Sequence, residues 1–295
     1  MRTIRTPEDR FTNLPDFPFA PQYVTVNGHR IHYVDEGQGQ TVLCLHGEPT
    51  WSFLYRKMIP PLSQAARAIA FDFVGFGRSD KLTQWTDYTF ELHCQTLVGF
   101  IEALNLNQIT LVVHDWGGVI GLWAAAHLPE RFARLVILNT ALTLGSEPPS
   151  PALDSFRTTV RNMAPEFPLI PVLQSALPNA GSEILAGYEA PFPGPEYKAG
   201  AVAWPLMVPT SPTDPVAVQL QHAADALSRW DKPTLVMFSD QDPFLGGADK
   251  FFRQLIPAAR QQPEITIKGA GHFLQEERGP EVAGHILEFI NRTPL

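Results

Sequence analysis

Short strand-like runs alternating with stretches of helical spacing narrow the folds open to this chain more than any other feature. The runs are Tyr23–Val26, Ile31–Asp35, Thr41–Leu45, Ala68–Phe73, Ile109–Val113, Leu135–Asn139, Thr234–Phe238 and Ile265–Ile267. Strands separated by helices imply parallel β-α-β units, so the pattern predicts an α/β class with a mostly parallel sheet of eight strands flanked by helices. Helical spacing is clearest over Thr89–Leu104 and from Gly117 to Leu128. No internal repeat or low-complexity tract interrupts the pattern. With 295 residues, 44% of them hydrophobic, such a sheet can bury a full core without metals or disulfides.

One segment breaks the alternation. Between Gly145 and Pro215 no convincing strand occurs, yet half of the 28 prolines fall there. Proline forbids long regular elements and stiffens connections, so this stretch is expected to form short helices and fixed turns. The expected organisation is a core domain of residues 1–144 and 216–295 and a helical, Pro-rich cap of residues 145–215 lying over it as a lid. Within the cap, Ser155–Met163 is expected as a helix with Asp154 or Ser155 as its cap and Phe156, Val160 and Met163 on one face.

Charge and cysteine usage remove several classes of function. The net charge is −8 and Lys/Arg runs are absent, which argues against a nucleic-acid or anionic-membrane surface. Only Cys44 and Cys94 occur, and they are expected as reduced core thiols. The first residues carry no apolar stretch of signal-peptide length, and nowhere do about 18 apolar residues run together. The expectation is a soluble, cytoplasmic monomer acting on a small molecule.

The chemistry concentrates at Ile109-Thr-Leu-Val-Val113, which runs into His114-Asp115-Trp116-Gly117-Gly118 and a helix. A strand, a tight turn and a helix are the setting of a nucleophile elbow, where the central side chain is exposed on a strained turn. Here Asp115 is central. Position 113 is Val where the motif has Gly, and a helix-capping aspartate is the competing reading. A carboxylate attacking an acyl carbon would give an anhydride, whereas displacement at a saturated carbon gives an ordinary ester. The pattern therefore points away from esterase and peptidase chemistry and towards displacement at a carbon bearing halide or epoxide oxygen, followed by hydrolysis of the enzyme ester.

That hydrolysis needs a base, an orienting acid and an oxyanion hole, in the chain order nucleophile, acid, histidine. His272, on a glycine-containing loop after Ile265–Ile267, is the expected base. Asp240 or Asp242 follows the strand Thr234–Phe238; Asp242, beside a proline turn, is preferred, with Asp240 capping the turn. The backbone N–H groups of Trp116 and Glu48 are expected to form the oxyanion hole. His29 and His32 are expected to flank a strand edge, and His93, His127, His222 and His285 to lie in polar or amphipathic helices. No Cys/His/Asp set has metal-ligand spacing, so neither metal nor cofactor is assigned. Gly75 and Gly77 lack the third glycine of a phosphate loop and read as a structural turn.

These residues resemble the haloalkane dehalogenases of the α/β-hydrolase superfamily, over nearly the whole chain. The resemblance rests on His46-Gly-Glu-Pro-Thr-Trp-Ser-Phe-Leu-Tyr-Arg56, Gly75-Phe-Gly-Arg-Ser-Asp-Lys81, Asp115-Trp-Gly-Gly118, Tyr188-Glu-Ala-Pro-Phe-Pro193 and Gly271-His-Phe-Leu-Gln-Glu276. It implies the α/β-hydrolase fold and the release of halide from small haloalkanes through an alkyl-aspartate ester. Glu48, with Asn139 rather than a carboxylate after Leu135–Leu138, is similar to the subgroup whose acid follows strand seven, which favours Asp242. In that subgroup two tryptophan N–H groups hold the leaving halide. Trp116 matches the first; the best match to the second is Phe156, which has no N–H and offers only its ring edge. Trp204 is a substitute to consider in the pocket, and Trp51 is expected to be structural. His114 stands where dehalogenases commonly carry Gln and epoxide hydrolases often carry His. An epoxide hydrolase, or a non-catalytic ligand binder on the same fold, are the alternatives left open.

Overall fold

The computed structural model describes residues 2–146 and 149–295; Pro148, counted above in the proline-rich segment, lies outside them. Eight strands form one sheet: β1 (Gln22–Val26), β2 (His29–Gly37), β3 (Thr41–Leu45), β4 (Arg67–Phe71), β5 (Ile109–His114), β6 (Phe132–Leu138), β7 (Thr234–Ser239) and β8 (Ile265–Ile267). Their spatial order is β1-β2-β4-β3-β5-β6-β7-β8. The β1–β2 and β2–β4 pairs are antiparallel and every other pair is parallel. The central strands β3 and β5 are buried along their whole length, as strands covered on both faces require. This is why their sequences read as continuous apolar runs rather than as alternation.

Ten α-helices accompany the sheet among the described residues. In chain order they are α1 (Ile59–Ser63), α2 (Phe90–Ala103), α3 (Trp116–His127), α4 (Pro151–Met163), α5 (Leu169–Ala176), α6 (Ser182–Glu189), α7 (Ala199–Leu206), α8 (Pro215–Leu227), α9 (Ala248–Leu255) and α10 (Leu274–Arg292). Helices α2, α3 and α8 pack side by side, α1 packs against α10, and α9 packs on β7. The α2 boundaries follow from its caps: Thr89 Oγ1 accepts from the N–H of Leu92 at 3.1 Å, satisfying a donor the helix itself leaves free. No described helix is long and apolar enough to cross a membrane.

Register sets the site. Leu45 stands beside Val113, and His114 beside Leu138, so the chain segments leaving β3, β5 and β6 emerge together. Residues at the carboxyl ends of parallel strands line the binding crevice in open α/β sheets, and here those ends deliver Glu48, Asp115, Asn139 and Asp242.

Several sequence expectations need correction. The strand expected at Ala68–Phe73 ends at Phe71, because the Asp72 side chain turns inward to accept from the Ser52 N–H at 2.7 Å and bond His32 at 2.6 Å. Leu135–Asn139 starts earlier, at Phe132, and ends at Leu138. The helix expected from Ser155 begins at Pro151 and is capped by Ser150, whose Oγ accepts from Leu153 N–H at 3.3 Å. On that helix Val160 is buried and Phe156 half-buried, but Met163 is exposed, so the expected face holds for two of three residues.

Helices α4 to α7 all fall between β6 and β7. A buried ion-pair cluster fastens this group to the rest: Arg56 grips Glu276 of α10 through two bonds of 2.5 and 2.7 Å, and Tyr188 of α6 donates to the same carboxylate at 2.6 Å. Desolvation favours the protonated acid, but bonds from Arg56, Lys57 and Tyr188 outweigh it and hold Glu276 below the usual carboxylate range.

Candidate active site

Asp115 follows β5 directly with φ of 49° and ψ of −125°, a conformation an L-residue adopts only when its surroundings impose it. Gly47 and Gly117 are required beside it. A Cβ on Gly47 would overlap the Asp115 carboxyl, and one on Gly117 would overlap the Leu45 carbonyl. The Thr140 hydroxyl donates to the Asp115 carbonyl at 2.6 Å. The turn thus points the Asp115 side chain upward into a cavity beneath α4, α5 and α7.

The two oxygens of Asp115 have different surroundings. Oδ1 accepts from the Glu48 N–H at 2.6 Å, and the nearby Trp116 N–H also favours the ionised carboxyl. Oδ2 faces His272, 3.7 Å from its Nε2. Burial pushes the Asp115 carboxyl above the usual carboxylate range, with His272 and the two N–H donors working against that shift. His272 Nδ1 lies 2.9 Å from Asp242 Oδ2, while Asp242 Oδ1 accepts from Phe244 and Leu245 N–H at 2.8 and 3.2 Å. Burial alone would lower the His272 imidazole; the flanking Asp242 and Asp115 carboxylates reverse this and raise it above its ordinary value. Asp240 stands apart, accepting from the Gly269 N–H at 2.8 Å in a turn.

The cavity holds about 110 Å³ and is mostly apolar, lined by Leu153, Phe156, Val172, Pro205 and Leu220 around Glu48, Asp115, Trp116 and His272. A single water needs about 10–15 Å³, so the space admits a small organic molecule and excludes a polymer. Glu48 is 7% exposed and both its carboxyl oxygens lack a partner. Burial, then the neighbouring Asp115, pushes this carboxyl well above the usual range.

Phe156 reaches this cavity. Trp204 does not: it is fully buried, stacked behind Trp116 at 5.7 Å between ring centroids, and its indole N–H donates to His93 Nε2 at 2.8 Å. The pocket role considered for Trp204 is therefore corrected. His93, expected in an ordinary helical face, is completely buried; desolvation lowers it to about 3, which keeps its Nε2 an acceptor for Trp204. His32, too, is buried rather than at an edge, bonded to Asp72. Trp51 is buried away from the cavity and donates to the Gly187 carbonyl at 3.1 Å.

Sequence reasoning passed over a network behind His272. Asn139 Nδ2 donates to the Gly271 and His272 carbonyls, each at 3.1 Å, and His114 Nε2 bonds the same His272 carbonyl at 2.9 Å. Ser239 donates to the Gly271 carbonyl at 2.7 Å, and its N–H donates to Asn139 Oδ1 at 2.9 Å. Their positions at or just beyond the carboxyl ends of β5, β6 and β7 were the available signal.

A family described as the alpha/beta hydrolase fold matches residues 40–279. A haloalkane dehalogenase of Mycolicibacterium paratuberculosis is 44% identical, covering 98% of this chain and 98% of its own. One from Psychrobacter cryohalolentis is 42% identical, covering 100% of both. Among solved structures, the tetrameric haloalkane dehalogenase DpaA from Paraglaciecola agarilytica is 37% identical, covers 98% of both chains and superposes with a TM-score of 0.91.

Proposed function

We propose a reaction route from the premise that this chain belongs to the α/β-hydrolase family and, within it, to the haloalkane dehalogenases. The chain is a hydrolase acting on carbon–halogen bonds, releasing alcohol and halide. Asp115, Asp242 and His272 are the catalytic residues in this reading. The observation that carries it is the division of labour between the Asp115 oxygens: Oδ1 sits against the Glu48 N–H at 2.6 Å, and Oδ2 stands unclaimed 3.7 Å from His272.

Oδ2 attacks the halogenated carbon, its new C–O bond forming as the C–X bond breaks and the electron pair leaves on the halide. The Trp116 indole, which can only donate, meets the developing charge. His272 then takes a proton from water, and the hydroxide adds to the ester carbon of Asp115. Negative charge grows on Oδ1, where the Glu48 N–H already points at 2.6 Å with the Trp116 N–H beside the same carboxyl, so the donors need little reorganisation. Asp242 holds the imidazole in the tautomer whose Nε2 is free and steadies it once charged. Collapse expels the alkoxide, which takes the proton from His272 and leaves as alcohol; Asp115, left as the carboxylic acid, gives its proton to solvent and returns to the carboxylate.

Residues 145–215 are the cap of this reading, walling off the cavity so that halide departs into a mostly dry space. The working form proposed is a single chain, with haloalkane and water as its partners. The unpaired, buried Cys44 and Cys94 fit a reducing, cytoplasmic setting.

The test is bromide release from 1-bromobutane by pure protein, with styrene oxide alongside. Bromide release together with intact mass raised by one butyl group in His272→Ala supports the route. Diol from styrene oxide without bromide from 1-bromobutane overturns it.

A further inference from the structure

Glu48 is the buried titratable group that the reaction above uses only through its backbone. Its carboxyl is 7% exposed, lines the cavity beside Asp115 and Trp116, and has both oxygens without partners. A carboxylate left this way would carry the full penalty of an unpaired buried charge. Asp115 shares the same enclosed space, and two carboxyls there cannot both ionise. The single charge settles on Asp115, which has the Glu48 and Trp116 N–H groups and His272 to support it. Glu48 has no donor and keeps its proton.

A protonated carboxyl is a hydrogen-bond donor, and this cavity is short of one. Trp116 supplies one N–H, and Phe156 supplies none. Of the other polar lining groups, Asp115 and His272 are engaged in the chemistry, and Thr143 stands where the cavity opens into a second cleft. We propose that Glu48, as the neutral acid, donates its O–H to the departing halide and so provides the second donor that Phe156 lacks. The inference rests on the dehalogenase reading. The proton stays on Glu48 throughout, because a hydrogen halide is a far stronger acid than a carboxylic acid; only the C–X electron pair moves to the halide.

Bromide release by the wild-type protein is measured first, and its absence would refute the dehalogenase reading itself. Bromide affinity is then read from quenching of the Trp116 indole in wild type, Glu48→Gln, Glu48→Leu and Phe156→Trp. The amide of Glu48→Gln still donates and holds affinity within a few-fold. Glu48→Leu weakens it by roughly 10- to 150-fold, the range for one hydrogen bond to a charged acceptor. Phe156→Trp strengthens binding more in the Glu48→Leu background than in wild type.

The pH profile separates a donor from a filler. Asp115 and His272 are the titratable groups lining the cavity beside Glu48, with Asp242 behind His272, and wild type and Glu48→Gln share all three. As pH rises and Glu48 ionises, wild type loses bromide affinity relative to Glu48→Gln. Bromide turnover by wild type combined with unchanged affinity in Glu48→Leu would overturn the proposal. So would superimposable pH profiles for wild type and Glu48→Gln, a comparison that stands even if Glu48→Leu does not fold.

Discussion

Replacing Asp115 by Asn isolates the electrostatic relation on which turnover depends. The amide is nearly isosteric, keeps an oxygen for the Glu48 N–H, and removes one negative charge 3.7 Å from His272 Nε2. At that separation two unit charges interact by about 1 kcal/mol if screened as in bulk water and about 4 kcal/mol at an effective dielectric near 20. At about 1.4 kcal/mol per pH unit, Asp115→Asn should lower the His272 titration midpoint by between about one and three pH units. Asp242, 2.9 Å from Nδ1, remains and keeps the imidazole from falling further.

The assay is NMR titration of ring-labelled histidine, with His272→Ala to assign the resonance. A midpoint that stays put or rises would refute the argument. The sign matters mechanistically, because alkylation also neutralises Asp115. His272 therefore becomes easier to deprotonate when the ester forms, at the moment a neutral base is needed. Hydrolysis of the ester fails as pH falls through this lowered midpoint, so its acid limb lies below the His272 midpoint of the free enzyme. The linked stability effect runs the other way: with a raised folded value, protonated His272 stabilises the wild-type fold below about pH 6.5. That contribution is lost as pH rises through the folded midpoint, and Asp115→Asn diminishes it.

Arg56→Leu strands Glu276 among Tyr188 and Lys57 and should cost about 3–5 kcal/mol. For a chain of 295 residues that is a fall of about 5–8 °C in Tm by calorimetry, largely recovered by adding Glu276→Leu; equal losses in the single and double variants would contradict it. Because Glu276 is held below its ordinary value, its stabilising contribution is present at neutral pH and is lost as pH falls through its folded midpoint, measurable as an acid-sensitive Tm absent from Glu276→Leu. Asn139→Ala removes one donor from each of the Gly271 and His272 carbonyls, leaving Ser239 and His114 as their remaining partners, and should slow ester hydrolysis by up to about 100-fold while sparing the initial bromide burst in rapid-quench experiments. Trp204→Phe leaves His93 Nε2 without its donor and should cost about 1–3 kcal/mol in denaturant unfolding, with little change in kcat.

Much of the architecture is written locally. Apolar runs bounded by turn residues mark the strands, helical spacing marks α2 and α3, and a strand meeting Asp115-Trp116-Gly117-Gly118 marks the elbow, because each signal depends on a few neighbouring residues. The preference for Asp242 over Asp240 rested on the proline turn and on the family resemblance, and the fold sets Asp242 beside His272 while Asp240 lies in a separate turn. Boundaries were less legible: β4 stops at Phe71 because Asp72 bonds Ser52 and His32, partners 20 and 40 residues away.

The choice of hydrogen-bond partners was not written locally at all. Trp204 and His93 are 111 residues apart in sequence, Asn139 and His272 are 133 apart, and only the folded sheet brings either pair within reach. An indole N–H or a carboxyl oxygen bonds whatever donor or acceptor the fold sets beside it. The sequence by itself therefore determined the α/β class and an aspartate at the elbow. The tertiary structure alone decided that Trp204 spends its N–H on a buried histidine while Phe156 faces the cavity. It also decided that Glu48 is left unpaired at the reacting centre, since burial and partnership are properties of space rather than of chain order.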